Sequence, residues 1–402
     1  MRRKRIIYVQ YTNPAAYPPL EHSSRILAES NWDVLFLGTG ALGADKLRFN
    51  DHPHIRVRRL RFQPPGIRQK LHYAFFNLWC LGWFLRRRPD CVYFSELHSC
   101  PLGFLSALIG MRAIFHEHDI PQSKSTGAFA RFLSWSRNQF ARRAALCIVP
   151  NAKRGEHMLR STGASRMPAV VWNCPRSEEA AAVRTPLAES KLRVLYHGSI
   201  VPDRLPIAVI ESLAMLPDGV TLTVAGYETT GARGYIDTLK KRASELGIAH
   251  RLEIAGTVPL RRDLMAICRK HDVGLALMPL ESGDPNMETM AGASNKPYDY
   301  LACGLALLVA ELPDWEEMFV KPGYGLSCNP KSVESLTAAL GFFAARPETT
   351  RAMGERGRQR ILRDWNYEHQ FQGVKERLAG PGPDAAIEPD RTRTTYRSEA
   401  IR

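Results

Sequence analysis

Three segments of the 402-residue chain hold side chains whose types and spacing could act on an anionic ligand. In the first, His197-Gly198-Ser199-Ile200-Val201-Pro202-Asp203-Arg204, an apolar run passes into a helix-like one. Gly198 lets a ligand approach the backbone, the helix start favours negative charge, and Arg204 offers two parallel hydrogen bonds to phosphate oxygens. A plain strand-to-helix turn with a surface arginine fits the same residues. The second, Ser294-Asn295-Lys296-Pro297-Tyr298-Asp299-Tyr300-Leu301-Ala302-Cys303-Gly304, follows a long loop of small and polar residues, Glu281 to Ala293. Its helix start would bring backbone N–H groups and Lys296 to one anionic site, and Asp299, one turn on, could accept hydrogen bonds from ribose or sugar hydroxyls. The simpler alternative is that Ser294 caps a helix ending at Gly304. The third, His116-Glu117-His118-Asp119, closes a short apolar run and puts an imidazole at a strand end.

Such positions need strands to hold them, and the chain supplies two alternating sets. Strand-like runs at Ile6 to Gln10, Val34 to Leu37, Ile55 to Phe62, Cys91 to Phe94, Ala113 to His116, Cys147 to Val149 and Ala169 to Trp172 are separated by helical patterns. That alternation predicts parallel pairing through right-handed crossovers. A polar, alanine-rich stretch then intervenes. The second set is Val194 to Tyr196, Thr221 to Ala225, Leu252 to Ala255, Val273 to Met278 and Leu305 to Ala310. The reading is α/β with two doubly wound Rossmann-like domains: 1–178, a linker at 179–190, and 191–350. Helices at 351–379 follow, broken near Asp364 to Asn366, and 380–402 reads as a disordered tail. In an open sheet of this kind ligands bind beyond the carboxyl ends of the strands, where all three segments fall.

Composition narrows the partners. With 45% hydrophobic and 24% charged residues the chain is an ordinary globular one. Its formal charge of +15 calls for an anionic partner. Neither Arg2 to Arg5 nor Arg86 to Arg88 has interleaved aromatic residues of the base-stacking kind, and no nucleic-acid-binding module is recognised. The eight cysteines form no Cys-x-x-Cys pair and no zinc spacing, so they are expected to be reduced, buried and cytosolic. Tyr73 to Leu85 is apolar almost all round, but as a helix it spans only about 20 Å against a hydrocarbon core of about 30 Å. It is either a helix buried between layers, the favoured reading, or an interfacial segment with the arginines beside it on anionic headgroups.

The segment Asn295 to Gly304 resembles the Lys-x-x-Glu-Tyr-x-Ala-x-Gly donor-site motif of the family 4 glycosyltransferases, which have the GT-B fold. The likeness continues through His197-Gly198 to Arg204, Val224-Ala225-Gly226, Leu252 to Val258 and Asp272 to Pro279. In the first half, Pro89 to Tyr93, Phe115 to Asp119 and Val171-Trp172-Asn173 fall in the family's order. The resemblance implies GT-B architecture, with the C-terminal helices packing back toward the N-terminal domain. It also implies retaining transfer of a sugar from a nucleoside-diphosphate sugar to an acceptor hydroxyl, in bacterial surface polysaccharide or glycolipid synthesis. His118, Arg204, Lys296 and Asp299 are then the catalytic candidates. Gly198, Ser199, Arg204, Gly226, Ser294, Asn295, Lys296, Asp299 and Tyr300 would bind the donor. No metal or other cofactor is expected, since no Asp-x-Asp cluster is present and cations with helix-start N–H groups would stabilise the leaving diphosphate. The partners would be a nucleotide sugar, a sugar or lipid-linked acceptor and an anionic membrane surface, for a cytoplasmic or peripheral enzyme.

Departures accompany the matches. Where the family has arginine after the loop glycine and lysine six positions after it, this chain has Ser199 and Arg204; the first of the paired glutamates is Ala291 and the second Asp299. Glu281 or Glu288 could stand in for the missing acid. Thr12 to Pro19 replaces the usual glycine-rich N-terminal loop. Two alternatives therefore stand beside the transferase: a nucleotide-sugar epimerase of the non-hydrolysing type, and a binding protein that kept the fold without the chemistry.

Overall fold

Two parallel sheets carry the chain. The computed structural model describes residues 2–121, 127–181 and 191–380. The first sheet contains β1 (Lys4–Val9), β2 (Trp32–Thr39), β3 (Ile55–Leu60), β4 (Cys91–Ser95), β5 (Ala113–His116), β6 (Leu146–Val149) and β7 (Ala169–Val170). The second contains β8 (Leu192–Ile200), β9 (Val220–Glu228), β10 (Leu252–Gly256), β11 (Val273–Ala276), β12 (Ala306–Ala310) and β13 (Gly325–Cys328). Their orders are β3-β2-β1-β4-β5-β6-β7 and β10-β9-β8-β11-β12-β13. The order reverses beside β1 and beside β8, so each sheet opens a crevice at the carboxyl end of its first strand. These are two Rossmann-like domains of the expected class.

The strands form because their apolar runs are buried on both faces, as parallel sheets require. Ile6, Tyr8, Val34, Phe36 and Tyr93 face the helix Pro18–Glu29, while Ile7, Val9, Leu35, Val92 and Phe94 face Phe76, Cys80 and Phe84 of the helix Ile67–Arg87. The last helix, Tyr367–Ala379, follows a break at Asp364 to Asn366 and packs Tyr367, Phe371, Val374 and Leu378 onto the first domain's core. The chain thus ends on the domain where it began. All eight cysteines are unpaired and buried.

Two expectations change. The helix Ile67–Arg87 is not buried between layers: it lays one stripe on the sheet and leaves Leu71, Phe75, Leu78 and Leu85 exposed at 70, 55, 67 and 79%. A helix on a sheet meets it along one face only, so an apolar residue on the other face stays uncovered. No helix of the described residues is long and apolar enough to cross a membrane. The four-residue β13 was not foreseen, because Gly-Leu-Ser-Cys has no β-branched residue to signal it. The linker from 182 onward and the tail from 381 lie outside the described residues.

Candidate active site

The carboxyl ends of the two sheets face each other across a cleft of about 290 Å³. From the first domain come Tyr17, Glu21, His118 and Asp119; from the second, His197 to Ser199, Arg204, Gly226 and Ser294 to Lys296, with Asp299. All the sequence-predicted positions except Tyr300 therefore meet in one place. Glu281 and Glu288 are exposed, and neither they nor Ala291 line the cleft. Asn286 of the intervening loop instead exchanges two hydrogen bonds with the Ile120 backbone, at 2.7 and 2.9 Å, and Asn173 Nδ2 donates to the Ala293 carbonyl at 2.6 Å. The loop that was to supply an acid joins the domains.

Two glycines set the floor. Gly198 has φ +107°, and a Cβ there would lie 3.3 Å from Lys296 Cε. A Cβ on Gly226, its neighbour across the β8–β9 pairing, would fall 1.8 Å from the Gly198 carbonyl oxygen, so no side chain fits. Tyr300 works beneath this floor. Its hydroxyl accepts from the His197 N–H at 3.0 Å and donates to the Leu275 carbonyl at 3.2 Å, while its ring fills the space over Gly274. That burial removes it from the donor-binding set and makes it a pin holding the loop.

Cations gather above the floor. Arg204 Nη1 donates to Ser199 Oγ at 3.0 Å, and its buried Nε has no partner. Lys296 is buried at the start of the helix Asn295–Ala302, 5.4 Å from the Tyr196 ring centre, and its ammonium makes no hydrogen bond or ion pair among the described residues. Burial and the nearby Arg204 charge push its amine down to about 7, with Asp299 opposing. The Ser294 side chain makes no capping bond and lines the cleft. His197 Nε2 is buried without a hydrogen-bond partner, 3.5 Å from Asp299 Oδ2. Buried polar atoms are seldom left unpaired, so this group of them marks a place for a ligand.

Asp299 is held by a residue that sequence reading missed. Arg261, on the helix Arg261–Cys268, places Nη2 at 2.6 Å from Asp299 Oδ1 and Nε at 2.6 Å from Glu179 Oε1. Burial alone would lower the Arg261 guanidinium, yet the two carboxylates outweigh it and push it well above its ordinary value. Glu179, which burial would raise, is pulled down to about 2, chiefly by Arg261. The partners lie 82 and 38 positions from Arg261, and no local motif connects them.

On the facing wall His118 is held by Ser95 Oγ at 3.1 Å from Nε2 and by the His116 ring at 3.8 Å, and its buried Nδ1 has no partner. Burial, helped by Arg154, pushes its pKa down to about 3, so the ring is neutral at ordinary pH. Its neighbours are spoken for: Glu117 pairs with Arg137, and Asp119 with Arg154 at 3.0 Å. No cluster of metal-ligating side chains occurs among the described residues.

Residues 20–174 match the family model described as "Glycosyl transferase 4-like domain", and residues 208–376 the one described as "Glycosyl transferase-like". Together the two matches span most of the chain and, with the fold, support a glycosyltransferase superfamily of GT-B architecture. HepE of Anabaena, solved with UDP and glucose, superposes with a TM-score of 0.68 at 15% identity, over 94% of this chain and 100% of that one. Sucrose-phosphate synthase from Thermosynechococcus elongatus gives 0.66 at 15% identity, over 93 and 98%. These likenesses establish the fold. In sequence it is 25% identical over 178 residues to the GDP-mannose-dependent alpha-(1-6)-phosphatidylinositol monomannoside mannosyltransferase of Mycolicibacterium smegmatis, a match spanning 44% of each chain.

Proposed function

We propose that the protein is a retaining glycosyltransferase of the family 4 type, moving a sugar from a nucleoside-diphosphate sugar to an acceptor hydroxyl. The observation that carries this reading is Lys296: a buried cation with no ion-pair partner among the described residues, beside the unpaired Arg204 Nε, at the mouth of a glycine-floored loop. A buried charge needs a partner, and a diphosphate supplies it. The bond from the anomeric carbon to the phosphate oxygen breaks with its electron pair left on the diphosphate, while the acceptor oxygen bonds to that carbon and passes its proton to the departing phosphate. Arg204, Lys296 and the N–H groups at Asn295 and Lys296 stabilise the charge that develops. His118 faces the transferred sugar as a neutral hydrogen-bonding group. Asp299, held by Arg261, orients the donor. No metal is required, and transfer is expected to persist in EDTA.

The acceptor is read as lipid-linked, with the enzyme working against the inner face of the membrane in surface glycan synthesis. Leu71, Phe75 and Leu78 form an exposed apolar stripe on the helix Ile67–Arg87, which runs into Arg86 to Arg88, and the helix Ala128–Arg143 exposes Phe129, Phe132 and Trp135. Tyr73 and Phe129, 5.5 Å apart, join the two helices. A thermal-shift screen with UDP, GDP, ADP and their sugars tests the donor reading, since a ligand bound only by the folded state raises its stability. Absence of a shift with all of them would sink it, and consumption of a nucleotide sugar without any acceptor would favour the epimerase.

A further inference from the structure

A second groove, of about 1070 Å³, opens on the first domain and shares Ala15, Leu47 and Arg48 with the cleft as common walls. It lies against the edge strand β3, where the alternating residues Ile55, Val57 and Arg59 line it, and Leu60 and Arg61 continue the wall as the strand ends. Its other walls include Phe49 and Phe62, so apolar faces alternate with cations. Arg48 and Arg61 are exposed, and neither guanidinium has a hydrogen-bond or ion-pair partner among the described residues. Arg59 meets only Asp45, at 3.6 Å, and that carboxylate is itself 67% exposed. Asp51 is the other acid on the wall.

The backbone fixes this groove to the donor side. Arg48 N–H donates to the Pro259 carbonyl at 2.9 Å, and Arg48 forms a parallel bridge with Leu260, so the residue that separates the two cavities is tied to the second domain. A molecule lying in the groove would reach the cleft past Arg48. The volume exceeds what a single sugar needs and lies just above the range of ordinary ligand pockets, roughly 300–1,000 Å³. Guanidinium groups pair with carboxylate and phosphate through parallel hydrogen bonds, and aromatic rings offer faces to the C–H sides of sugar rings.

We propose that this groove is the acceptor site and that it takes an anionic glycan, a sugar chain bearing carboxylate or phosphate groups, with Arg48, Arg59 and Arg61 as its recognition residues. The inference rests on the transferase reading and adds the acceptor's chemistry to it. Arginines also guard exposed edge strands against pairing with other chains. That simpler role explains charge on β3 but requires neither a groove continuous with the cleft nor the placement of Arg48 on the shared wall.

The experiment titrates the full chain with tetragalacturonate, with tripolyphosphate and with neutral maltotetraose, at low and at physiological salt. Wild type is compared with the Arg48→Gln/Arg61→Gln double variant and with Lys296→Met. Tetragalacturonate is expected to bind wild type and Lys296→Met alike, and tripolyphosphate, which the donor cleft would also hold, is compared in Lys296→Met with and without Arg48→Gln/Arg61→Gln; each should weaken at least tenfold when the two arginines are replaced and should exceed maltotetraose at least tenfold. The tighter of the two tells carboxylate from phosphate. Failure of both to bind, equal binding with and without the arginine replacements, or loss of tetragalacturonate binding in Lys296→Met would each overturn the proposal, the last by placing the anion in the donor cleft. Nucleotide thermal shifts on the same samples separate the two readings: a shift without anion binding removes the groove alone, and arginine-dependent anion binding without any shift removes the donor reading alone.

Discussion

Lys296 Cε and Nζ lie 3.3 and 3.4 Å from the point where a Cβ would stand on Gly198, so the cation and the glycine occupy adjoining volumes at the loop proposed to hold the donor. A methyl group there would make the lysine tip give by a few tenths of an ångström and would strain a backbone at φ +107°. Gly198→Ala should therefore weaken nucleotide-sugar binding at least tenfold while costing only about 1–2 kcal/mol of stability. Titration calorimetry beside thermal unfolding checks both, and unchanged affinity would remove the loop from the donor site.

Lys296 gives the site a pH dependence of definite sign. Its amine is pushed down to about 7 in the folded protein, so below that pH it is charged and ready for a diphosphate, and above it the charge is lost. Affinity for a nucleotide sugar, whose diphosphate stays ionised throughout, should fall by roughly tenfold or more between pH 6.5 and 8.5. Without ligand, the unfolded chain binds the extra proton between about 7 and the ordinary lysine value. Stability contributed at this position thus rises with pH across that window. Lys296→Met should abolish the affinity trend and raise the melting temperature at pH 6; a variant with the wild-type trend would contradict the assignment.

Arg261 joins two buried carboxylates and supplies their main counter-charge. Arg261→Met is expected to cost about 3–5 kcal/mol, as breaking a buried pair does. Glu179, held down to about 2, stabilises the fold above its ordinary value near pH 4.5, and that contribution is lost as the pH falls toward 2. Glu179→Gln should therefore be less stable than wild type at pH 7 and should approach it near pH 2. Denaturant titrations at the two pH values decide, and a constant difference between the proteins would count against the ion pair.

This clamp also shows where the sequence stops being legible. Parallel strands announce themselves through short apolar runs, because their burial depends on composition that any window reveals. Gly198, Arg204, Lys296 and Asp299 stand in local segments whose chemistry is visible by itself. Arg261 sits in the unremarkable segment Leu260 to Asp263, and its role exists only through Glu179 and Asp299, which the fold brings together. Tyr300 stays out of the cleft for a related reason: it follows Asp299 in the same motif, but successive helix residues point in different directions, and its ring turns into the sheet. The helix Ile67–Arg87 has apolar residues on every side, so periodicity alone does not say which stripe the sheet will cover.

His118 should act without titrating in the working range. With its pKa pushed down to about 3, the ring is neutral from pH 5 to 8 and can only give or take a hydrogen bond. His118→Ala is expected to lower kcat at least tenfold with donor affinity nearly unchanged. The wild-type pH–rate profile should then carry no limb near the ordinary histidine value that depends on this residue. A limb near pH 6.5 that disappears in the variant would show a protonated imidazole at work and would displace this reading.

The exposed apolar face yields the last prediction. Phe75 and Leu78, 55 and 67% exposed, project from a helix whose opposite stripe already holds the core, so replacing them with serine removes no core packing. Fully burying a large apolar side chain stabilises by about 1.5–3 kcal/mol, and arginines near an anionic surface add about 1 kcal/mol each. Phe75→Ser/Leu78→Ser should therefore reduce co-sedimentation with phosphatidylglycerol vesicles at least tenfold without lowering the melting temperature. Salt should weaken wild-type binding, since Arg86 to Arg88 supply the screened part of the attraction. If the double variant binds vesicles as wild type does, this face is not the membrane contact. If wild type fails to sediment even at low salt, the enzyme meets its acceptor away from the bilayer, and the lipid-linked reading falls with it.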